Sequence, residues 1–135
     1  MINISSFVYC EYVQTEFTPR GPRPKVINPL ATLEPVAVPS NYSFSTVCCI
    51  TGFSPDVEYN IQMVFMDPDG NVLKDTTDLK FKIPEKEKVG NIQLNLDARN
   101  IILRKEGEYK TKVLMNGECI GEYSIPVIVK GDFYE

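Results

Sequence analysis

The stretch GEYKTKVLMNGECIGEYSIPVIV, from Gly107 to Val129, decides the fold class of this chain. In its first half apolar and polar residues alternate, which predicts a strand with one buried face. The residues expected on that face are Tyr109, Thr111, Val113 and Met115. Asn116-Gly117 follows, and it predicts a type I′ turn because both central residues of such a turn need positive φ. The stretch is therefore predicted to be a β-hairpin.

The register of this hairpin requires an irregularity in its second strand. With a loop formed by Asn116 and Gly117 alone, an uninterrupted ladder would turn Tyr123, Ile125 and Val127 away from the buried face. One extra residue in a strand returns the side chains that follow it to the other face of the sheet. We therefore predict a β-bulge at Ile120-Gly121.

The same period of two recurs along the chain. It is clear in VEYNIQMVF (57–65) and NIQLNLD (91–97), and no stretch shows a convincing helical stripe. Further strands are predicted at Asn3–Tyr12, Ser43–Thr51, Asp78–Ile83 and Tyr123–Val129. About seven or eight short strands with turn signals between them indicate an all-β antiparallel β-sandwich, immunoglobulin-like in topology, with little or no helix.

The length of 135 residues predicts a single β-sandwich domain over residues 1–135. Six prolines interrupt the strand pattern between the first and second predicted strands. We therefore expect a Pro-rich crossover loop at about residues 18–40. A short tail is expected at residues 131–135.

The charge balance restricts the class of partner. With 14 Lys and Arg against 18 Asp and Glu, the net charge is 14 − 18 = −4, which disfavours nucleic acid as a partner. No apolar run of about eighteen residues occurs, so no membrane-spanning helix is predicted. The sequence MINISSFVYCEYVQTEF has no basic n-region and no apolar run of signal-peptide length. We expect a cytoplasmic protein that does not associate with membranes.

The chain offers few groups for catalysis or metal binding. It has no His, which removes the usual general base and the commonest metal ligand. Its four cysteines are Cys10, Cys48, Cys49 and Cys119, and their spacing matches no zinc site. We expect reduced, buried thiols, with a bridge from Cys10 to Cys48 or Cys49 as the alternative. No enzymatic activity, no cofactor and no metal are predicted.

The stretch FMDPDGNVL (65–73) has two interpretations, a cation site and a chain reversal. Asp67, Asp69 and Asn71 match the first positions of a calcium loop, but the glycine such a loop needs at its sixth place is replaced by Val72. In a turn, Pro68 presets φ and Gly70 takes the left-handed position. We therefore predict a hairpin turn.

The layout of the chain resembles an uncharacterised family of small bacterial immunoglobulin-like β-sandwich proteins. The shared features are an N-terminal strand ending in Cys10, the Pro-rich crossover, the DPDG turn, Gly107 with Tyr109, Asn116-Gly117, and the apolar strand Ile125 to Val129. The resemblance implies a fold and implies neither a reaction nor any functional residue.

The crossover TPRGPRPKVINPLATLEPVAVPS (18–40) is the stretch most suggestive of function. Arg20, Arg23 and Lys25 are concentrated in it within an acidic protein. One interpretation is a binding loop whose basic tip meets an acidic protein surface, with Arg20, Arg23 and Lys25 as the protein-binding residues. The other is a loop packed over the sandwich by Val26, Ile27, Leu30 and Leu33.

We therefore expect a non-catalytic protein-binding module of bacterial or phage origin, whose partner is a protein. The alternative is a structural or surface domain, such as a virion or adhesin module, that packs against neighbouring subunits through uncharged edge strands.

Overall fold

The computed structural model describes residues 2–76, 78–83 and 90–130, so the predicted tail at 131–135 lies outside it. These residues form nine β-strands and no helix. The strands are β1 (Asn3–Thr18), β2 (Gly21–Pro29), β3 (Ser40–Phe53), β4 (Glu58–Met66), β5 (Val72–Asp75), β6 (Leu79–Lys82), β7 (Gly90–Leu103), β8 (Gly107–Met115) and β9 (Glu118–Val127). Within this part of the chain, no helix is long and apolar enough to cross a membrane.

The strands form two antiparallel sheets, in the orders β2-β1-β3-β7 and β5-β4-β8-β9, and β6 also pairs with β4. In immunoglobulin domains strands A, B and E share one sheet, and strands C, F and G share the other. Here β1, β3 and β7 take the places of A, B and E, while β4, β8 and β9 take those of C, F and G. The predicted immunoglobulin-like antiparallel sandwich is confirmed, with nine described strands.

The core lies between the two sheets. Its largest fully buried side chains include Tyr109, Phe44, Phe53, Phe65 and Leu33. Burying one large apolar side chain contributes about 1.5–3 kcal/mol, so this layer supplies the main stabilisation of the fold.

Two tyrosine hydroxyls make hydrogen bonds at the core. Tyr109, near the start of β8, donates to the carbonyl of Lys105 at 2.8 Å. This bond is the tyrosine corner of immunoglobulin-like sandwiches. Tyr9 donates to the carbonyl of Tyr123 at 2.7 Å and therefore accepts the hydroxyl proton of Thr111, also at 2.7 Å. Since Tyr9 lies on β1 and its partners on β9 and β8, these bonds join the two sheets.

The β8–β9 hairpin has the predicted geometry. Asn116 and Gly117 have φ of 51° and 82°, as a type I′ turn requires. The register runs from Leu114 opposite Cys119 to Val113 opposite Gly121, so Ile120 is the extra residue. The predicted bulge is confirmed.

The prediction of a loop over residues 18–40 is wrong for Gly21–Pro29, which form β2. Successive residues of a paired strand direct their N–H groups alternately towards the partner and away from it. Because β2 is an edge strand with β1 as its neighbour, Pro22 and Pro24 take the outward positions, where no donor is needed. Arg23 and Lys25 alternate with them.

The four cysteines are free thiols, but the prediction that they are buried is wrong for Cys119, which is exposed in the β8–β9 hairpin, and for Cys49, which is half-buried. Cys48 packs in the core cluster, and burial raises its pKa to about 12. Cys10 is also fully buried but lies outside that cluster, opposite Ser45 in the sheet. The alternative of a bridge from Cys10 to Cys48 or Cys49 is therefore not adopted in this structure.

Candidate protein-binding arm

The second half of β1 leaves the sandwich and forms a hairpin with β2. The pairing of β1 with β3 ends at Cys10 opposite Ser45, while its pairing with β2 continues to Thr18 opposite Gly21. We call residues 11–29 the arm. It is an extension of a core strand, so its base is anchored in the sheet.

A two-residue loop of Pro19 and Arg20 closes the arm. The Thr18 hydroxyl donates to the carbonyl of Gly21 at 2.8 Å and accepts from the amide of Arg20 at 3.2 Å. Gly21 has a φ of 110°, a conformation that disfavours any side chain. The tip is therefore held by local bonds and by the choice of residues in the turn.

The arm has two unlike faces, which follow from the cross-strand register and the alternation of side chains. One face is largely apolar and comprises Val13, Thr15, Phe17, Pro22, Pro24 and Val26. The other comprises Tyr12, Gln14, Glu16, Arg23, Lys25 and Ile27. This amphipathic pattern places the apolar face towards the sandwich, where Val13, Pro22 and Pro24 line a cavity of about 260 Å³ over β3 and β7.

The outer face of β3 is buried beneath the arm. Val47 is only 7% exposed although it lies outside the core cluster, and it lines the same cavity. Gln93 and Asn95 of β7 form the far wall. The arm and the sheet therefore enclose a groove that reaches from β3 to β7.

Phe17 is 83% exposed at the end of the arm. It lies opposite Pro22, which is exposed too, so an apolar surface remains at the tip. Exposed apolar surface with a basic rim is typical of interaction sites. Sequence reasoning missed Phe17, although its period-two spacing from Val13 and Thr15 was a readable signal.

The three predicted binding residues lie on the arm. Arg20 is in the turn, and Arg20 and Arg23 border one cavity of about 280 Å³ at the tip. Lys25 follows Arg23 on the same face of β2, about 7 Å further along the strand. All three are exposed, and no ion pair joins them to another described residue. The structure therefore brings these three basic side chains together on one edge of the arm.

The DPDG stretch is a turn, as predicted. Its residue Asp67 accepts from the amides of Asp69 and Asn71 at 2.9 and 2.8 Å, and from the side chain of Asn71 at 3.0 Å. Slight burial opposes ionisation, but these bonds outweigh it and lower the pKa of Asp67. Asp69 is paired with Lys105 at 2.6 Å. In the described ranges, no group of three or more His, Cys, Asp or Glu side chains is placed to hold a metal ion.

The strand order and the tyrosine corner define an immunoglobulin-like β-sandwich carrying an arm. Residues 5–128 match the model of DUF6941, a family of unknown function, and the chain belongs to this family. The expected resemblance to an uncharacterised immunoglobulin-like family is thereby confirmed. No curated protein sequence matches the chain.

Several solved structures are similar in fold. An alkylpurine DNA glycosylase from Pseudomonas fluorescens, bound to DNA containing an abasic site analogue, aligns over 95% of this chain and 30% of its own, with 13% identity and a TM-score of 0.51. An immunoglobulin-like protein from Pseudomonas aeruginosa aligns over 95% of this chain and 97% of its own, with 13% identity and a TM-score of 0.48. This chain thus spans about a third of the glycosylase, and at such identity the likeness concerns the fold alone.

Proposed function

We propose that this protein is a non-catalytic protein-binding module whose arm binds an acidic surface of its partner. The observation that carries the proposal is the projection of Arg20, Arg23 and Lys25, with exposed Phe17, on a hairpin outside the core. Side chains held on a paired strand lose less entropy on binding than side chains of a free loop. Arg also presents a planar fork that matches a carboxylate.

The module is proposed to be non-catalytic because its two most strongly perturbed groups belong to the core. The pKa of Tyr9 and that of Cys48 are raised by burial, and both side chains lie in the core cluster rather than in a cleft. The chain also has no His. Free thiols fit a reducing compartment, which supports the bacterial cytoplasm, of host or phage-infected cell, as the place of action.

A protein is proposed as the partner rather than nucleic acid. The glycosylase of similar fold was solved with DNA, but this chain has a net charge of −4. A nucleic-acid backbone is a dense polyanion, and binding it requires a larger positive potential than an acidic chain with three clustered basic residues supplies. Fewer Lys and Arg side chains are needed to bind a carboxylate-rich protein surface than to bind a DNA backbone.

The test compares the wild type with a variant that carries Arg20→Ala, Arg23→Ala and Lys25→Ala. The control carries Lys74→Ala, Lys112→Ala and Lys130→Ala, which remove the same charge elsewhere and break no ion pair among the described residues. Each protein serves as bait in host lysate, and a protein captured by wild type and control should be lost with the arm variant. Titration of that protein at two salt concentrations should then give a smaller salt slope for the arm variant.

Equal capture and equal salt slopes for all three proteins would refute the proposal. A short DNA duplex is titrated in parallel. If the duplex binds and its binding depends on Arg20, Arg23 and Lys25, the partner is nucleic acid and not a protein. Both variants should change the free energy of unfolding by less than about 1 kcal/mol, since none of the replaced charges forms an ion pair with a described residue and all except half-buried Lys112 are exposed.

The alternative is a structural or surface domain that packs against neighbouring subunits. One observation favours it: β7 is a 14-residue edge strand whose charged residues are Asp97 and Arg99. A long edge strand with few charges is suited to pairing with another chain. A defined oligomer in solution that buries β7 would favour this function over the first.

A further inference from the structure

We infer that the partner contributes an extended segment, in which apolar and acidic residues alternate, and that this segment pairs as an added strand with the free edge of β7 beside the arm. The inference rests on the proposed function and specifies the chemistry of the partner at the same site. Four features of the described residues carry it.

The first feature is that β7 offers the most suitable edge among the strands that the structure describes. Its register with β3 is unbroken from Asn91 to Ala98, and within the described ranges its other side pairs with no strand. An unpaired edge presents rows of N–H and C=O groups that an extended peptide can bind. β7 therefore provides backbone affinity without any change in the fold.

The other edges are less suited to an added strand. β2 carries Pro22 and Pro24, which remove donors from its outer side. At β9, the backbone of Leu33 bonds to Pro126 and Ile128 at 2.9 and 3.0 Å and occupies part of the edge. β5 and β6 have four residues each. A partner strand is thus directed to β7.

The second and third features are two cavities on opposite faces of β7. Leu94 packs against the core, so its neighbours Gln93 and Asn95 face outwards. On the outer face lies the groove of about 260 Å³ under the arm. On the inner face a cavity of about 180 Å³ is lined by Ile61, Thr76 and Leu79, and Leu94 and Asn95 of β7 line both cavities. Since successive side chains of a strand point to opposite faces, an added strand would direct its alternate side chains to these two cavities.

The fourth feature is the contrast between the two cavities. The inner cavity is lined chiefly by aliphatic side chains, and Leu79 at its rim is 49% exposed. It therefore suits an aliphatic side chain. The outer groove is also lined by Arg23, which strand alternation places on the other face of the arm and which borders the tip cavity together with Arg20. It therefore suits a carboxylate, which Arg can bind through two parallel hydrogen bonds.

The experiment uses the full chain, labelled with ¹⁵N, and three acetylated and amidated ten-residue peptides. One alternates Val and Glu, one alternates Val and Lys, and one has five Val followed by five Glu. Only the first should perturb the amides of Asn91–Ala98 and Arg23 in NMR spectra. It should also slow hydrogen exchange of those β7 amides that point away from β3.

Two pairs of variants separate the contacts. Arg23→Ala should weaken the Val/Glu peptide about tenfold, as expected for a lost charge-assisted contact, whereas Lys112→Ala on the opposite sheet should not. Leu79→Asp should abolish binding by placing a charge at the aliphatic cavity. Val36→Asp, at a residue 79% exposed in another part of the surface, should leave it unchanged.

Three results would overturn the inference. The first is no binding at millimolar peptide, and the second is equal binding of the Val/Lys or block peptide. The third is protection of the β7 amides in the free protein together with a dimeric mass, which would mean that a second copy occupies the edge. If a partner is captured through Arg20, Arg23 and Lys25 but does not perturb the β7 amides, the proposed function is supported and the inference of an added strand is refuted.

Discussion

Asp67 uses both carboxylate oxygens to fasten the turn that it begins. One oxygen accepts from two backbone amides and the other from the side chain of Asn71. A cation would have to displace these donors to reach the carboxylate. The turn thus needs acidic and amide side chains for its own hydrogen bonds, and they resemble a calcium loop only in spacing.

Calcium should therefore leave the melting temperature unchanged, because a ligand raises it only by binding the native state. Gly70→Val should destabilise the protein by about 1 kcal/mol or more, since Gly70 has a φ of 86° and no neighbour that could compensate. Asp69→Ala, which removes an exposed ion pair with Lys105, should cost less than about 1 kcal/mol. Thermal melts of the wild type and the two variants, with calcium or with a chelator, test these expectations. A saturable rise in melting temperature with calcium would contradict the interpretation of the stretch as a turn.

The lowered pKa of Asp67 also predicts a pH dependence. A carboxyl whose folded pKa is depressed stabilises the fold above its unfolded value, which is 3.8 here, and this stabilisation is lost as pH falls through the folded pKa. Asp67→Asn should therefore show a smaller loss of stability below about pH 4 than the wild type. Denaturant midpoints from pH 7 to pH 2 measure the difference. Identical profiles would show that the carboxylate is not held in its ionised form.

Tyr9 is the residue whose single hydroxyl joins the two sheets. Tyr9→Phe removes that hydroxyl and leaves the Thr111 hydroxyl and the Tyr123 carbonyl without this partner, so it should cost about 1–3 kcal/mol. Tyr12→Phe is the control, because Tyr12 lies on the arm and is 40% exposed. Urea unfolding measures both. An equal, small effect would mean that water replaces the lost bonds.

At the scale of the element, the arm is separable from the core because beyond Cys10 β1 pairs only with β2 among the described strands. Replacing Thr15–Pro24 by Asn-Gly would close the hairpin at the existing pair Gln14 and Lys25 with a type I′ loop. We expect this protein to fold, since the removed residues are mostly exposed, with a loss of about 1–2 kcal/mol because Val47 loses the cover of Pro22 and Pro24. Circular dichroism and urea midpoints test this. A protein that fails to fold would show that the arm belongs to the core.

The β8–β9 hairpin shows which elements the sequence determines locally. Asn116-Gly117 fixes the turn and the alternation fixes the face, so the bulge at Ile120 follows from two constraints that meet within a few residues. β2 is not predictable from local sequence, because its prolines are compatible with a loop and with an edge strand alike. Pro22 and Pro24 exclude a central strand but are compatible with an edge, and only the strand order reveals which it is.

At the scale of the whole molecule, the fold class was predictable and the site was only partly so. The bases Arg20, Arg23 and Lys25 stand out against an acidic composition, and the structure does place them on one projecting element. The groove was not predictable, because it forms between Pro22 and Val47, which meet only when the arm leans over β3. Contacts between residues far apart in sequence leave no periodic signal.

The state of the cysteines is a property of the whole fold. Under denaturing, non-reducing conditions we expect four reactive thiols. In the native protein Cys119 is exposed and should react fast, whereas Cys10 and Cys48 are fully buried, and burial raises the pKa of each. Cys119→Ser should remove the fast phase of a thiol-labelling time course. Two thiols on denaturation would establish a disulfide and place the protein in an oxidising compartment.

The continuity of β1 has a mechanical consequence. β1 is one continuous strand of 16 residues. Its first part pairs with β3 in the sheet, and its second part forms the arm with β2. A partner that pulls on the arm along its length therefore loads the backbone bonds between Asn3–Cys10 and Ser45–Thr51 in shear, so that they resist together rather than open one after another. The module is built to transmit tension from its tip into the sandwich without a hinge between them.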